Sequence, residues 1–455
     1  MIVLKFGGTS VGSAQRIRAV AHLVSTIAGR KIVILSAMSG TTDTLVQLAQ
    51  QIINAQWQEA EETVATLESR YHSVIEELFE TSALRKEVWQ ALAPIFTELQ
   101  SQTHNEAFTQ NDEKRILSRG EIISTTLMAF TLREYENLNA VHLDAISFMR
   151  INHNGEPEPQ HIEKHLTPLL TAAPDPNALF LTEGYICINA FGEIDNLRRG
   201  GSDYTATLVG EAAHAETIEI WTDIDGLHNN DPRVVNVTSP VRRLHFGEAA
   251  ELAHFGSKIL HPTCIEPARR ANIPIRLLNT LDPQAPGTLI SCETSRDMVK
   301  AVSAKDGISL LTLRRHPHLK SGSPLSDYII AITQLIAKHN LCVDLLTTMG
   351  DSYLIAVEEA PEVALFAEEA EEWGSVLYQR DMTIVAVVGD MGWDRMGFES
   401  RILDAIDDIP IRMISYGSSN YSLVLVVGSV DKKRAMIALS DHLFANINLQ
   451  SPEIG

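Results

Sequence analysis

Six short apolar runs punctuate the first two-thirds of this 455-residue chain: Ile2–Phe6, Ile32–Ser36, Val141–Asp144, Leu179–Thr182, Ile218–Thr222 and Ile275–Asn279. Each is too short for a buried helix and reads as a strand. Helical patterns lie between them, among them Ala14–Ala28, Ser202–His214 and Gly247–Phe255. Alternation of this kind predicts an α/β layer around a largely parallel sheet. The stretch from about Thr44 to Leu117 carries no glycine and reads as a mostly helical insertion or cap.

Asp282-Pro283-Gln284-Ala285-Pro286-Gly287 breaks both periods and predicts a linker. Beyond it the pattern changes. Ile329–His339 reads as a helix, and Cys342–Thr347 and Tyr353–Val357 as strands. Ser400–Asp407, Ile411–Ser415 and Ser422–Val427 repeat that order. The offset of about 68 residues predicts a tandem pair of small helix-on-sheet modules.

The formal net charge of −21 disfavours nucleic acid and anionic membranes as partners, and 45% hydrophobic content is ample for packed cores. An anionic ligand must then be held by a local cluster of cations. Cys187, Cys264, Cys292 and Cys342 are scattered without a CxxC pair, so neither a disulfide framework nor a cysteine metal site is expected. No apolar run reaches membrane-spanning length, and Lys5 interrupts Ile2-Val3-Leu4 where a signal peptide would need a longer apolar region. A soluble cytoplasmic protein is the expectation.

Two glycine motifs carry the chemistry. Lys5-Phe6-Gly7-Gly8-Thr9-Ser10 follows the first strand, and Arg198-Arg199-Gly200-Gly201-Ser202-Asp203 precedes a helical pattern. Glycines let a phosphate approach the unpaired N–H groups at a helix start, and the lysine and arginine add full charge. An ordinary βα turn accounts for the first motif equally well. Lys precedes the glycines, so it is not a Walker A loop. Arginine can grip a carboxylate with two parallel bonds, whereas Ser202 and Asp203 serve as well as helix caps. Ser36–Thr42 offers hydroxyls at a strand end, for substrate or for capping. Ser118-Arg119-Gly120-Glu121 places a carboxylate at a helix start, for an ammonium group or for the helix dipole. Trp221-Thr222-Asp223-Ile224-Asp225-Gly226 ends a strand, with Asp231-Pro232-Arg233 soon after, and Phe255-Gly256-Ser257-Lys258 adds a second lysine. Strand ends are where open α/β sheets bind ligands. Two lysines suit phosphoryl transfer, which needs charge neutralisation and in-line placement more than covalent help. A small-molecule kinase follows.

In order and spacing, KFGGTS, SRGE, RGGSDYTA, WTDIDG, DPRVV and FGSKILHP resemble the aspartokinase family over nearly the whole chain. The resemblance implies an amino-acid kinase domain over residues 1–290. Two ferredoxin-like ACT modules would follow, over 299–380 and 381–455, either in tandem or with one nested in the other. It implies ATP-dependent phosphorylation of the side-chain carboxylate of L-aspartate to 4-phospho-L-aspartate, the first step towards lysine, threonine and methionine. The competing reading is a catalytically silent amino-acid sensor of the same fold. Lys5, Gly7, Gly8 and Lys258 would handle the transferring phosphate, with Asp203 organising the lysines. Thr222, Asp223, His228 and Arg233 would join Lys258 in the ATP site. Thr42, Glu121, Arg199, Gly200, Gly201 and Ser202 would hold aspartate, Glu121 facing the ammonium and Arg199 the α-carboxylate. Mg²⁺ would enter with ATP, without direct side-chain ligation. A homo-oligomer through the ACT modules and an amino-acid effector near Asp344 are also implied.

The chain departs from the family pattern in several places. Asp195-Asn196-Leu197-Arg198 replaces Thr-Thr-Leu-Gly, which leaves Arg198 as the rival to Arg199. His228 stands where a tyrosine is usual. Ser323-Pro324-Leu325 replaces Gly-Phe-Leu, and Met349-Gly350 replaces Ser-Glu, while Gly397-Phe398 and Tyr416-Gly417-Ser418-Ser419 persist in the second module. The expectation is a weakened or altered effector response.

Overall fold

The computed structural model describes the chain except residues 199, 258–259, 295–298, 318–324, 393, 395 and 449–455. It divides into two compact units. The first comprises Met1–Leu227, Arg242–Phe246 and Ile259–Glu293, and the second comprises His228–Val241, Gly247–Lys258 and Thr294–Gly455.

The first unit is an α/β/α sandwich. Its opening strands are β1 (Ile2–Phe6) and β2 (Lys31–Leu35), joined by helix α1 (Ala14–Thr26), which Ser13 caps by accepting from the Arg16 N–H. Helices α2 (Thr41–Ile53), α3 (Trp57–Leu78), α4 (Ser82–Gln102), α5 (Gln110–Leu117) and α6 (Arg119–Glu136) follow. They form the helical insertion that the glycine-free stretch predicts. Then come β3 (Val141–His142), α7 (Pro159–Thr171) and β4 (Leu179–Glu183). A hairpin of β5 (Ile186–Ile188) and β6 (Ile194–Asn196) leads into α8 (Gly201–Ala212) and β7 (Thr217–Thr222). The unit closes with β8 (Arg243–His245), α10 (Pro262–Ala271), β9 (Ile275–Asn279) and β10 (Thr288–Ser291); α9 (Phe246–His254) lies between β8 and α10.

The sheet order is β3-β4-β2-β1-β7-β9-β10-β8. All pairings are parallel except β9 with β10. The central strands are buried on both faces, as parallel sheets require. Leu4, Phe6, Val33 and Leu35 pack with Ile17, Val20 and Val24 of α1 and with the apolar faces of α2, α3, α4 and α6. Helix α8 packs against β1, β7 and α10. The chain thus confirms the expected fold class, and the predicted strands fall on β1, β2, β3, β4, β7 and β9.

The second unit is built on one six-stranded antiparallel sheet, β12-β13-β11-β14-β16-β15. Its strands are β11 (Ala301–Arg315), β12 (Val343–Met349), β13 (Ser352–Glu358), β14 (Gly374–Val388), β15 (Ile411–Tyr416) and β16 (Ser422–Gly428). Its helices are α11 (Leu325–Lys338), α12 (Pro361–Ala370), α13 (Phe398–Ala405) and α14 (Lys432–Asn448). The two long strands serve two cores. Ala301–Lys305 of β11 pairs with Ile384–Val388 of β14, and Val302, Val385 and Val387 pack under Phe398, Ile402 and Leu439. Past a break in register between Lys305 and Ile308, Leu311 and Leu313 pack with Tyr328, Ile332 and Phe366. This unit also takes in the stretch from Gly247. Glu248 pairs with Lys300 at 2.6 Å, both almost fully buried, and Glu251 accepts from Ser422 Oγ at 2.9 Å.

Candidate active site

Three helix starts and the end of β1 converge on one cleft of about 680 Å³ in the first unit. Its lining includes Lys5, Gly8, Thr42, Glu121, Gly200, Gly201, Ser202 and Asp203, all marked in the sequence, as well as Lys114, Tyr185, Asp195 and Arg198. The geometry follows from local chemistry. β1 delivers Lys5 into the sheet interior, and the turn after it must pass the end of β2 closely. A Cβ on Gly8 would stand 2.7 Å from the Ala37 carbonyl oxygen, so only glycine fits there. The Gly8 carbonyl in turn accepts from Ser39 N–H at 3.1 Å, which ties the Lys5 turn to the Ser36–Thr42 segment. Gly200, at φ +73°, turns the chain into α8 so that Gly201, Ser202 and Asp203 face the cleft from its first turn.

Lys5 Nζ lies 2.6 Å from Asp203 Oδ1, with side chains 10% and 14% exposed. A cation held this firmly can serve as a fixed anion-binding charge, since little reorganisation remains when an anion arrives. A Cβ on Gly7 would lie 3.6 Å from that Nζ, so the space between ammonium and turn is kept open by the missing side chain. The Gly7 N–H itself donates to the Trp221 carbonyl at 3.2 Å. Gly7 therefore shapes the cradle and spends its own N–H on β7.

Glu121 sits in the first turn of α6, 4% exposed, and its Oε2 has no hydrogen-bond partner among the described residues. Burial pushes its pKa up from 4.5 to about 8; bonds from the Ala37 and Glu121 N–H groups and the charge of Lys5 oppose the shift, and Glu183 adds to it. A buried carboxyl with a spare oxygen facing a cleft is a receptor for a cation. Thr42 lines the same wall, and its neighbour Thr41 bonds the Tyr71 hydroxyl at 2.7 Å. Burial and the nearby Glu121 push the Tyr185 phenol up to about 12, so it stays neutral.

The remaining sites stand apart from this lining. Thr222 ends β7 and Asp223 follows it, their side chains joined by a 3.1 Å hydrogen bond, and the Thr222 carbonyl accepts from Thr280 Oγ1 at 2.6 Å. His228 and Arg233 belong to the second unit. His228 Nδ1 meets Thr238 Oγ1 at 2.8 Å, and Arg233 is engaged with Asp231 through Nε at 2.9 Å and Nη2 at 2.7 Å. Arg199 and Lys258 lie outside the described residues, as do Ser323 and Pro324 of the expected effector segment. Asp344, on β12, is enclosed. Lys305 Nζ lies at 2.6 Å and His254 Nε2 at 3.1 Å. Burial raises the Asp344 pKa, but the bonds from His254 and Lys305 outweigh it and hold the carboxyl below its ordinary range.

Lys114, Tyr185 and Asp195 were not singled out by motif. Asp195 falls in the segment that departs from the family pattern, which is the one sequence signal that marks it. Lys114 reads as an ordinary helix-surface lysine.

Comparison with known proteins identifies the family. Residues 1–279 match the model of the amino acid kinase family, and residues 385–443 match an ACT domain. The lysine-sensitive aspartokinase 3 of Escherichia coli is 30% identical over 455 residues, covering 98% of this chain and 99% of the relative. The crystal structure of E. coli aspartokinase III with aspartate and ADP superposes with a TM-score of 0.82 at 28% identity, over 98% of this chain and all of that one. The same enzyme with lysine and aspartate gives 0.76 at 30% identity, over 98% and 99%. With a family model spanning more than half the chain and an aspartokinase aligned from end to end, the chain belongs to the amino acid kinase family and, within it, to the aspartokinases.

Proposed function

We propose that the cleft beside β1 is where this enzyme phosphorylates the side-chain carboxylate of L-aspartate with ATP. One observation carries the assignment. A fixed buried cation, Lys5, and a buried carboxyl with a spare oxygen, Glu121, line the same cleft. That pairing matches an amino acid that brings an ammonium to one end and receives a phosphoryl group at the other. Glu121 and Thr42 receive the amino-acid end, and Arg199, Gly200, Gly201 and Ser202 take its α-carboxylate. The side-chain carboxylate is ionised at neutral pH, so it attacks the γ-phosphorus without a general base. The bond from that phosphorus to the β–γ bridging oxygen breaks, and its electrons leave on ADP. Lys5 neutralises the transferring phosphoryl group in the space that the Gly7–Gly8 turn keeps open, and Asp203 keeps Lys5 in place. Lys258, Thr222, Asp223, His228 and Arg233 are the candidates for contacts to ATP. Mg²⁺, carried in with ATP, supplies further neutralisation of phosphate charge.

The same reading extends to regulation. Asp344 is already engaged by two side chains of its own chain, Lys305 and His254. An effector ammonium would find Oδ1 already held by both of them and only Oδ2 open, with no partner among the described residues. This supports an altered or weakened response to lysine. We place the kinase domain in residues 1–290 and two nested ACT modules beyond it, the second taking its first strand from Ala301–Lys305. Edge strands β12 and β15, with exposed Leu346, Met349 and Ile414, are where homo-oligomers would form. Four free cysteines fit a reducing cytoplasm, and among the described residues no helix is long and apolar enough to cross a membrane.

The test is acyl-phosphate formation trapped with hydroxylamine, with ATP, Mg²⁺ and either L-aspartate or L-glutamate, and with lysine, threonine or methionine added in parallel. Product from aspartate alone is expected. No product from either acid removes the assignment, and strong inhibition by lysine removes the regulatory reading.

A further inference from the structure

Two walls of the cleft come from distant parts of the chain. One is the α5–α6 corner that carries Glu121; the other is the segment from β6 to α8 that carries the arginine–glycine motif. They are joined by a clasp. Lys114 Nζ on α5 donates to Asp195 Oδ2 on β6 at 2.6 Å, with side chains 27% and 11% exposed. The next residue closes it, because Asn196 Nδ2 donates to the Lys114 carbonyl at 3.1 Å. Lys114, Asp195 and Asn196 all line the cleft. Two residues further on, the Arg198 guanidinium lies beside Gly155, where an added Cβ would come within 3.4 Å of Nη2. Among the described residues Arg198 forms no ion pair or hydrogen bond.

We propose that Lys114 is a positioning residue for the amino-acid substrate: through Asp195 and Asn196 it sets the spacing between the ammonium-receiving wall and the carboxylate-gripping loop. The physical argument is one of pre-organisation. An amino acid presents its ammonium and α-carboxylate at a fixed separation, so the two walls must be held at the matching distance before it arrives. Where they are not, substrate binding has to order them, and apparent affinity falls. A short charge-assisted bond with one partner nearly buried, backed by a second bond to the same residue's backbone, holds such a spacing better than a lone surface pair. The clasp also consumes the charge of Asp195, which would otherwise repel the carboxylates of the substrate from the cleft rim. The nucleotide residues on β7 take no part in it.

This inference rests on the acceptor-site assignment above, and the experiment separates the two. Steady-state kinetics would be run on wild type, Lys114→Met, Asn196→Ala and the charge reversal Lys114→Asp/Asp195→Lys, each checked by thermal unfolding. Expected for Lys114→Met is a rise in KM for aspartate of about tenfold, the scale of one lost charge-assisted bond, with KM for ATP and kcat within about twofold. Asn196→Ala shifts the same parameter less, and the reversal recovers most of the wild-type KM. Unchanged KM for aspartate in Lys114→Met, or equal losses in both KM values and kcat that follow the loss of melting temperature, overturns the positioning role. Absence of acyl phosphate from the wild type instead overturns the underlying site assignment.

Discussion

Removing the charge of Glu121 has a consequence that can be worked out in protons. Its carboxyl is pushed from 4.5 to about 8 by burial, on the order of 5 kcal/mol against the ionised form at about 1.4 kcal/mol per unit. Ligand-free enzyme at neutral pH therefore holds Glu121 protonated. An arriving substrate ammonium favours the carboxylate, so binding expels the proton. With a free-state pKa of about 8, about one molecule in ten is ionised at pH 7 and about one in a hundred at pH 6, so aspartate affinity weakens about tenfold over that unit. Calorimetry in buffers of different ionisation enthalpy should find about 0.9 proton released per aspartate at pH 7. Glu121→Gln abolishes both the release and the slope. Stability has a matching sign. A raised carboxyl contributes stability that is complete below the unfolded value of 4.5 and is lost as pH rises through about 8. Glu121→Gln flattens that decline in the ligand-free protein. Zero proton release from the wild type, or the same release from Glu121→Gln, would refute the reasoning.

Other positions give simpler expectations. Lys5→Met should lower kcat by ~10²–10³, the scale for one preorganised charge contact, measured as trapped acyl phosphate; a normal kcat would remove Lys5 from the chemistry. Lys300→Met removes the buried cation paired with Glu248 and should destabilise the protein by about 3–5 kcal/mol in urea unfolding. Adding Glu248→Leu should return much of that loss, and failure to do so would show that the pair matters for more than its charge balance. Arg199→Lys should raise KM for aspartate by losing the bidentate grip. If Arg198→Lys does so instead, Arg198 is the gripping residue.

What was legible in the sequence was what local rules govern. The central strands of the first sheet are continuous apolar runs because both faces are covered, and they were read within a residue or two. Lys5, Glu121 and the Gly200–Asp203 loop were visible because glycine turns and helix starts have local signatures. Strand β11 was not, because Lys305-Asp306-Gly307 interrupts its apolar pattern where the strand passes from one core to the other. The short strands β5, β6, β8 and β10 carry too few residues for a period. The Lys114–Asp195 clasp joins positions 81 apart in sequence, and no pattern along one chain reveals a partner at that distance. Asp344 was read as a position for an effector, and the structure adds that Lys305 and His254 already occupy it.

Phosphorus NMR of the wild-type enzyme with ATP, Mg²⁺ and L-aspartate tests the central claim most directly, because it observes the product bond itself. The account predicts an acyl-phosphate resonance that grows in step with ADP and is absent when L-glutamate replaces L-aspartate. ADP accompanied only by inorganic phosphate in rapidly acquired spectra, or no ADP at all, would contradict it.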